Sequence, residues 1–355
     1  MIYVLHEHQL KVVSLDVDLE TLAPKIELLD GLLTEKTVAL LVAHLFGKIF
    51  NMQPFVVAAK KHKLVLIEDC AESFCGFDKI GHPESDISLF SFGPIKFHTA
   101  FGGGIAKVKD MCIYNRMKHH YHTYPTQSHI EYFKKVAKYS LVYLCIDCPR
   151  FMKPSLFVLR ALGIELRNNI VMLLRGFPNQ LMFRLRHQPS TALLYMMYHR
   201  MSCVTSYDGF LSSIKAEYVN ERMPKNVMLV GAQADIKGYW LFPILVEYPD
   251  QVARTMYELG VEAFRGASQL NVVEPDSTGS KGSKNGLQAY ARYYPHEARF
   301  IINHVLYLPV NKTLPFFELD KICAALEIAV RTSSNGTVFA PPRRLRPNVK
   351  FQSKL

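Results

Sequence analysis

Two short apolar runs rich in β-branched residues, 38–43 (VALLVA) and 64–67 (LVLI), flank a segment, 52–62, whose apolar residues recur at helical spacing. A strand, a helix and a strand in succession predict neighbouring parallel strands, and so an α/β sheet covered by helices. Asp69 then sits at the carboxyl end of a strand, the edge where open α/β sheets place their ligands. Residues 87–92 read as the next strand, which brings Ser91 and Lys96 out on the same rim.

The stretch SFGPIKFHTAFGGG, 91–104, follows IEDCAES, 67–73, after a short loop. Together they supply an acid, a hydroxyl, a single lysine and a glycine turn. A lysine amine condenses with an aldehyde only when positioned and partly desolvated, and an electron-sink pyridine works only while a carboxylate keeps its ring nitrogen protonated. Lys96 and Asp69 can take those two roles. A phosphate needs hydroxyls and backbone N–H donors, which Ser91, Gly102, Gly103 and Gly104 can provide or shape. The pieces are consistent with pyridoxal 5'-phosphate.

By these motifs the chain resembles the sugar aminotransferases of the DegT/DnrJ/EryC1/StrS family. The resemblance begins at VVSLDVDLETL, 12–22, and runs through the strand at 38–47 and the segment 51–73 to the glycines; it resumes at 305–327. It implies a fold type I pyridoxal-phosphate transferase: a mainly parallel sheet flanked by helices, a smaller C-terminal α/β domain and, in this chain, a helical insert. It further implies that Lys96 is the Schiff-base lysine and Asp69 the partner of the pyridinium nitrogen. Glu72 stands where the family places Gln, His or Glu beside the ring, Ser91 matches its phosphate-binding serine, and Thr99 falls in the turn after the lysine.

The chain departs from the family pattern in two places. Only MIYVLHEHQLK precedes the VVSLDVD strand, where the family carries a phosphate-binding loop and a stacking aromatic; the expectation is a half-missing cradle, from truncation or from loss of catalysis. A long insert then precedes 181–194, where the family has an Asn-aromatic-Arg-Met motif. Arg186 falls at its arginine, but Arg184 occupies the asparagine position. In sugar-dehydrating relatives histidine replaces the lysine itself; Lys96 therefore favours transamination, and His98 reads as a packing or surface residue.

The resemblance implies an aminotransferase acting on a nucleotide-linked keto-sugar, with glutamate as donor, in a homodimer. The alternative is a catalytically inactive relative serving as a binding or membrane-surface scaffold. For each site residue a plainer reading stands beside the functional one: a lone lysine after a strand is usually a surface charge, and Asp69 alone can be a helix cap.

With 355 residues and 49% hydrophobic content the chain can bury a sizeable core, which excludes a disordered or fibrous protein. The expected divisions are 1–110, a partial cofactor-binding domain; 111–200, a basic helical insert; 201–331, a small domain; and 332–355, a disordered basic tail. Residues 275–286, polar and glycine-rich, read as a mobile loop.

The net charge of +11 is concentrated in 111–200, with thirteen Lys and Arg against Glu131, Asp147 and Glu165. Basic and apolar together predict amphipathic helices, read as peripheral contact with an anionic membrane, as attraction of a nucleotide-sugar diphosphate, or as a hairpin with a solvated face. No recognised module accompanies the charge, which argues against nucleic acid. Asp147, Arg150, Lys153 and Arg160 interrupt the apolar runs and argue against a spanning helix.

Seven cysteines and no export signal point to free thiols and a cytoplasmic location. Cys145 and Cys148 form a lone CxxC, and neither it nor the histidines have metal-site spacing, so no metal is expected.

Overall fold

The computed structural model describes residues 2–147, 181–266, 270–274, 293–333 and 339. The glycine-rich stretch 275–286, Cys148 and the chain after 333 other than Phe339 lie outside the described residues.

A short helix α1 (Ile2–Glu7) opens the chain. The sheet that carries the site begins with β1 (Ala39–Ala43), followed by α2 (Gln53–His62), β3 (Val65–Asp69), β4 (Ile87–Ser91) and β5 (Gly104–Val108). Its order is β1-β3-β4-β5, with β1, β3 and β4 parallel and β5 antiparallel on the far edge. Strand burial alternates, and Leu40, Val42 and Leu66 bury against Phe55, Val56 and Ala59 of α2. Each such large apolar side chain contributes about 1.5–3 kcal/mol. Helix α2 starts with a proline in its first turn, carries Lys60, Lys61 and His62 in its last, and stops at Lys63 in a left-handed conformation (φ 55°).

A two-stranded ribbon, β2 (Lys48–Ile49) with β7 (Ile236–Lys237), joins this sheet to the C-terminal half. There β6 (Met228–Leu229), β8 (Phe242–Leu245) and β9 (Val305–Leu308) form an antiparallel sheet whose β8 and β9 are buried at every position. Apolar residues of α8 (Pro249–Glu258) and α10 (Phe316–Ser333), including Met256, Leu319 and Leu326, close over it. Thr332 and Ser333, expected in the tail, continue α10.

Among the described residues, the helices between the halves are α3 (Met111–His122), α4 (His129–Asp147), α5 (Leu181–Leu185), α6 (Thr191–Ser202) and α7 (Ser206–Asn220). Asp110 caps α3 by accepting from Ile113 N–H at 2.8 Å, and Ser190 caps α6 from Leu193 N–H at 3.3 Å.

The expected strand at 12–18 does not form; Val17 makes only an isolated bridge to Pro24. Asp16 instead turns inward to the start of α9 (His296–His304), accepting from Glu297 N–H and Ala298 N–H at 3.2 and 3.0 Å. Lys25 Nζ bridges Asp16 and Glu297 at 2.8 and 2.9 Å, and Glu297 accepts from Leu19 N–H at 2.8 Å. A buried carboxylate at a helix N-terminus, neutralised by a lysine, outweighs the strand preference of the apolar residues beside it.

Gly103 illustrates how tightly the loop before β5 is held. Its φ is +81°, and an added Cβ would come 2.6 Å from Met197 Sδ on α6. Gly103→Ala is expected to destabilise the chain by about 1–3 kcal/mol, read as a lower urea midpoint at unchanged slope.

Candidate functional site

Parallel pairing of β3 with β4 sets Asp69 opposite Leu89, two residues before Ser91, so both residues sit at the carboxyl edge of the sheet. Ser91 pairs in turn with Gly104 of β5, and the loop between them is closed through Phe92. Phe92 N–H donates to Gly103 O at 3.1 Å, while its carbonyl accepts from Ala100 and Gly102 at 2.9 and 3.1 Å. Phe92 is buried edge-on to Phe74, which also packs on Phe90 and His98. His98 is thus part of an aromatic cluster that fixes the loop.

Lys96 N–H donates to Gly93 O at 3.0 Å, a tight turn that lifts the side chain off the sheet edge. Its Nζ lies 4.4 Å from the centroid of the Trp240 ring, a cation–π contact of about 0.5–2 kcal/mol. Trp240 is anchored at both ends: Nε1 donates to Ile95 O at 2.9 Å, and its backbone N–H to Phe46 O at 3.0 Å. Glu72 accepts from Phe46 N–H at 2.9 Å. The left-handed turn at Phe46 and Gly47 (φ 59° and 84°) therefore ties Glu72 to Trp240 and so to Lys96. A side chain at 47 would strike Trp240 N at 2.6 Å.

Asp69 is half-buried; its Oδ1 accepts from Ala71 N–H at 3.0 Å and its carbonyl from His44 N–H at 3.0 Å. The residues on either side of it face inward. Glu68 is 2% exposed and receives His44 Nε2 at 3.0 Å, His82 N–H at 2.7 Å and Ser85 Oγ at 2.7 Å. Burial by itself would raise its carboxyl, but the hydrogen bonds from His44, His82 and Ser85 prevail and hold it at about 2. Burial pushes the Cys70 thiol well above its usual range. His44, Glu68 and Cys70 offer ligand atoms within 4.8 Å of one another, yet both Glu68 oxygens already accept hydrogen bonds. The trio reads as a buried hydrogen-bonded pair with a packed thiol, bracing the strand end that presents Asp69.

Thr99 Oγ1 accepts from Phe101 N–H at 2.9 Å, and its carbonyl from Arg200 at 3.0 Å. Arg186 is exposed beyond α5. A separate cavity of about 100 Å³ is lined by Lys48, Glu217, Asn220, Lys237 and Tyr239. Burial and the nearby Lys237 charge lower Lys48 to about 8, and its Nζ donates to Val230 O and Gly231 O at 2.6 and 3.2 Å, tying β2 to the C-terminal half.

Asp69, Ser91 and Lys96 are candidates from the sequence; Trp240 was not singled out. The available signal was its being the only tryptophan in the chain.

This architecture is fold type I. A solved aminotransferase from Psychrobacter cryohalolentis has the same fold, with TM-score 0.61 and 18% identity over 93% of this chain and 78% of that one. So does GDP-4-keto-6-deoxy-D-mannose-3-dehydratase of Escherichia coli, solved with bound hydrated PLP, with TM-score 0.55 and 16% identity over 91% of this chain and 76% of that one. Residues 3–141 match the model of the DegT/DnrJ/EryC1/StrS aminotransferase family. Among curated relatives, GDP-perosamine synthase of Escherichia coli O157:H7 is 35% identical over 109 residues, 30% of this chain. The match spans 30% of that relative's length. Among the described residues no helix is long and apolar enough to cross a membrane.

Proposed function

We propose that this chain is a pyridoxal-phosphate-dependent aminotransferase acting on a nucleotide-linked keto-sugar, with glutamate as amino donor. The observation that carries the reading is the arrangement of Asp69, Ser91 and Lys96, the last braced on Trp240, at one edge of a parallel sheet. The residues fit the cofactor. Asp69 stands half-buried at a strand end, and among the described residues the one hydrogen bond to its carboxylate reaches Oδ1, which leaves Oδ2 for a ring N–H.

When bound, the cofactor supplies a protonated pyridine ring that withdraws electrons from the donor carbon. Asp69 would hold the ring nitrogen protonated. Lys96 would hold the aldehyde end through Nζ and would take up and return a proton at that same atom. Ser91 would offer its hydroxyl to the phosphate. Trp240 lays an apolar face along the lysine, which limits water at Nζ and restricts the arc through which the amine swings. Glu72, holding Phe46 N–H, sets the height of the turn that carries Trp240.

A lysine at 96 favours amino transfer over dehydration. The name of the GDP-perosamine relative supports a nucleotide-linked sugar substrate. A homodimer with its sites at the subunit interface belongs to the same reading.

Incubation of the full chain with pyridoxal phosphate, glutamate and a nucleotide-linked 4-keto-6-deoxy hexose is expected to yield 2-oxoglutarate and an amino-sugar nucleotide in equal amounts, measured by mass spectrometry. Cofactor binding without either product, across a panel of keto-sugars, would overturn amino transfer and leave a binding scaffold.

A further inference from the structure

Helix α4 has two apolar faces, and among the described residues one of them is packed. The inner face packs on the loop that carries Lys96: Tyr132, 3% exposed, donates its hydroxyl to Ala100 O at 2.8 Å. Tyr139 stacks on Phe101 at 6.0 Å, and Tyr143 donates to Pro94 O. Val136 joins Leu193 and Met197 of α6 in the same cluster.

The outer face presents Ile130, Phe133, Ala137, Leu141 and Leu144. Steps of three and four residues put them in one line along the helix, about 21 Å long at 1.5 Å per residue. The four large residues are 66%, 69%, 62% and 50% exposed, respectively. Helix α6 adds Leu194, Tyr195 and Tyr198 at 51%, 71% and 73% exposure. Scattered exposed apolar residues are ordinary, but a continuous line of them on one helix marks a surface that meets something apolar.

The charges choose the occupant. Lys134, exposed, borders the outer line; Lys138, one turn on, is also exposed with its Nζ 5.2 Å from the Tyr139 ring centroid, and Lys135 lies beyond. Within 111–147 and 181–200 eight Lys and Arg face only Glu131 and Asp147. A second copy laid face to face on this helix would bring cationic flank against cationic flank. An anionic bilayer takes the apolar line into its acyl boundary and meets the lysines with head groups. No helix among the described residues can span, so the contact is in the plane of the surface.

We infer that the outer face of α4 lies on an anionic lipid surface, held by Ile130, Phe133, Leu141 and Leu144 and by the flanking Lys134 and Lys138. The helix that meets lipid is then the one whose other face seats the Lys96 loop. This contact is independent of the catalytic reading, and neither set of residues is used by the other.

The test is flotation of the full chain with phosphatidylcholine vesicles, with and without one third phosphatidylserine. The chain is expected to float with the anionic vesicles and not with the neutral ones. Lys134→Gln with Lys138→Gln is expected to weaken partitioning about thirtyfold, and Phe133→Ser with Leu141→Ser at least about tenfold. Far-UV circular dichroism checks that both exposed-site variants keep the fold. Three results would each overturn the inference: no flotation with anionic vesicles, equal flotation with both kinds, or flotation unchanged in both variants. A dimer in size-exclusion chromatography that Phe133→Ser with Leu141→Ser dissociates would also overturn it, making a second copy the occupant.

Discussion

Lys96→Ala is expected to abolish covalent capture of pyridoxal phosphate. Borohydride reduction of the loaded native chain should leave one stable pyridoxyl group on the peptide containing Lys96, and the variant should carry none there. Amino transfer should fall at least about a thousandfold, because the same Nζ both anchors the aldehyde and moves the proton. The structure supplies the reason for selectivity. Lys96 follows the strand end at Ser91 with its amine over an indole face, whereas Lys48, a second amine lowered to about 8, is buried and tied to two carbonyls. An adduct that maps to Lys48, or that persists undiminished in Lys96→Ala, would sink the assignment. Retained circular dichroism in the variant separates lost chemistry from lost fold, since Lys96 is only half-buried.

Glu68→Ala is expected to cost about 3–5 kcal/mol of stability. It would strip the partner from a buried histidine, a buried serine and a backbone N–H at once. The milder Glu68→Gln isolates the charge. A carboxyl held at about 2 when folded, against 4.5 as a free side chain, contributes about 3 kcal/mol that is fully present above pH 4.5 and is lost as pH falls toward 2. Native chain and Glu68→Gln should therefore differ most in urea midpoint near pH 7 and draw together as pH falls from 4.5 toward 2. A gap that stays constant from pH 7 to pH 2.5 would show that the carboxylate charge is not what stabilises this strand end.

The alternation of apolar residues at 38–43 and 64–67 around a helical segment specified the parallel core, because a strand and a helix each bury only one pattern of side chains. The same reading placed Asp69 and Ser91 at the edge where they stand, since residues ending adjacent parallel strands emerge together. It misread residues 12–18, whose apolar run looks like a strand but whose Asp16 is drawn to the start of α9 and to Lys25. That partner is 281 residues away, and no local pattern encodes it.

The motifs IEDCAES and SFGPIKFHTAFGGG put Asp69, Ser91 and Lys96 forward as candidates by sequence alone, because the chemistry they suggest is carried by residue type at short spacing. What braces them came only with the tertiary structure. Trp240 reaches Lys96 across 144 positions of chain, through a left-handed turn at Phe46 and Gly47. Glu72 proves to hold that turn, and the tyrosines of α4 hold the lysine loop from the other side. Local periodicity determines which face of an element is apolar. Which distant element covers that face, or leaves it bare as on α4, is decided by packing over the whole chain.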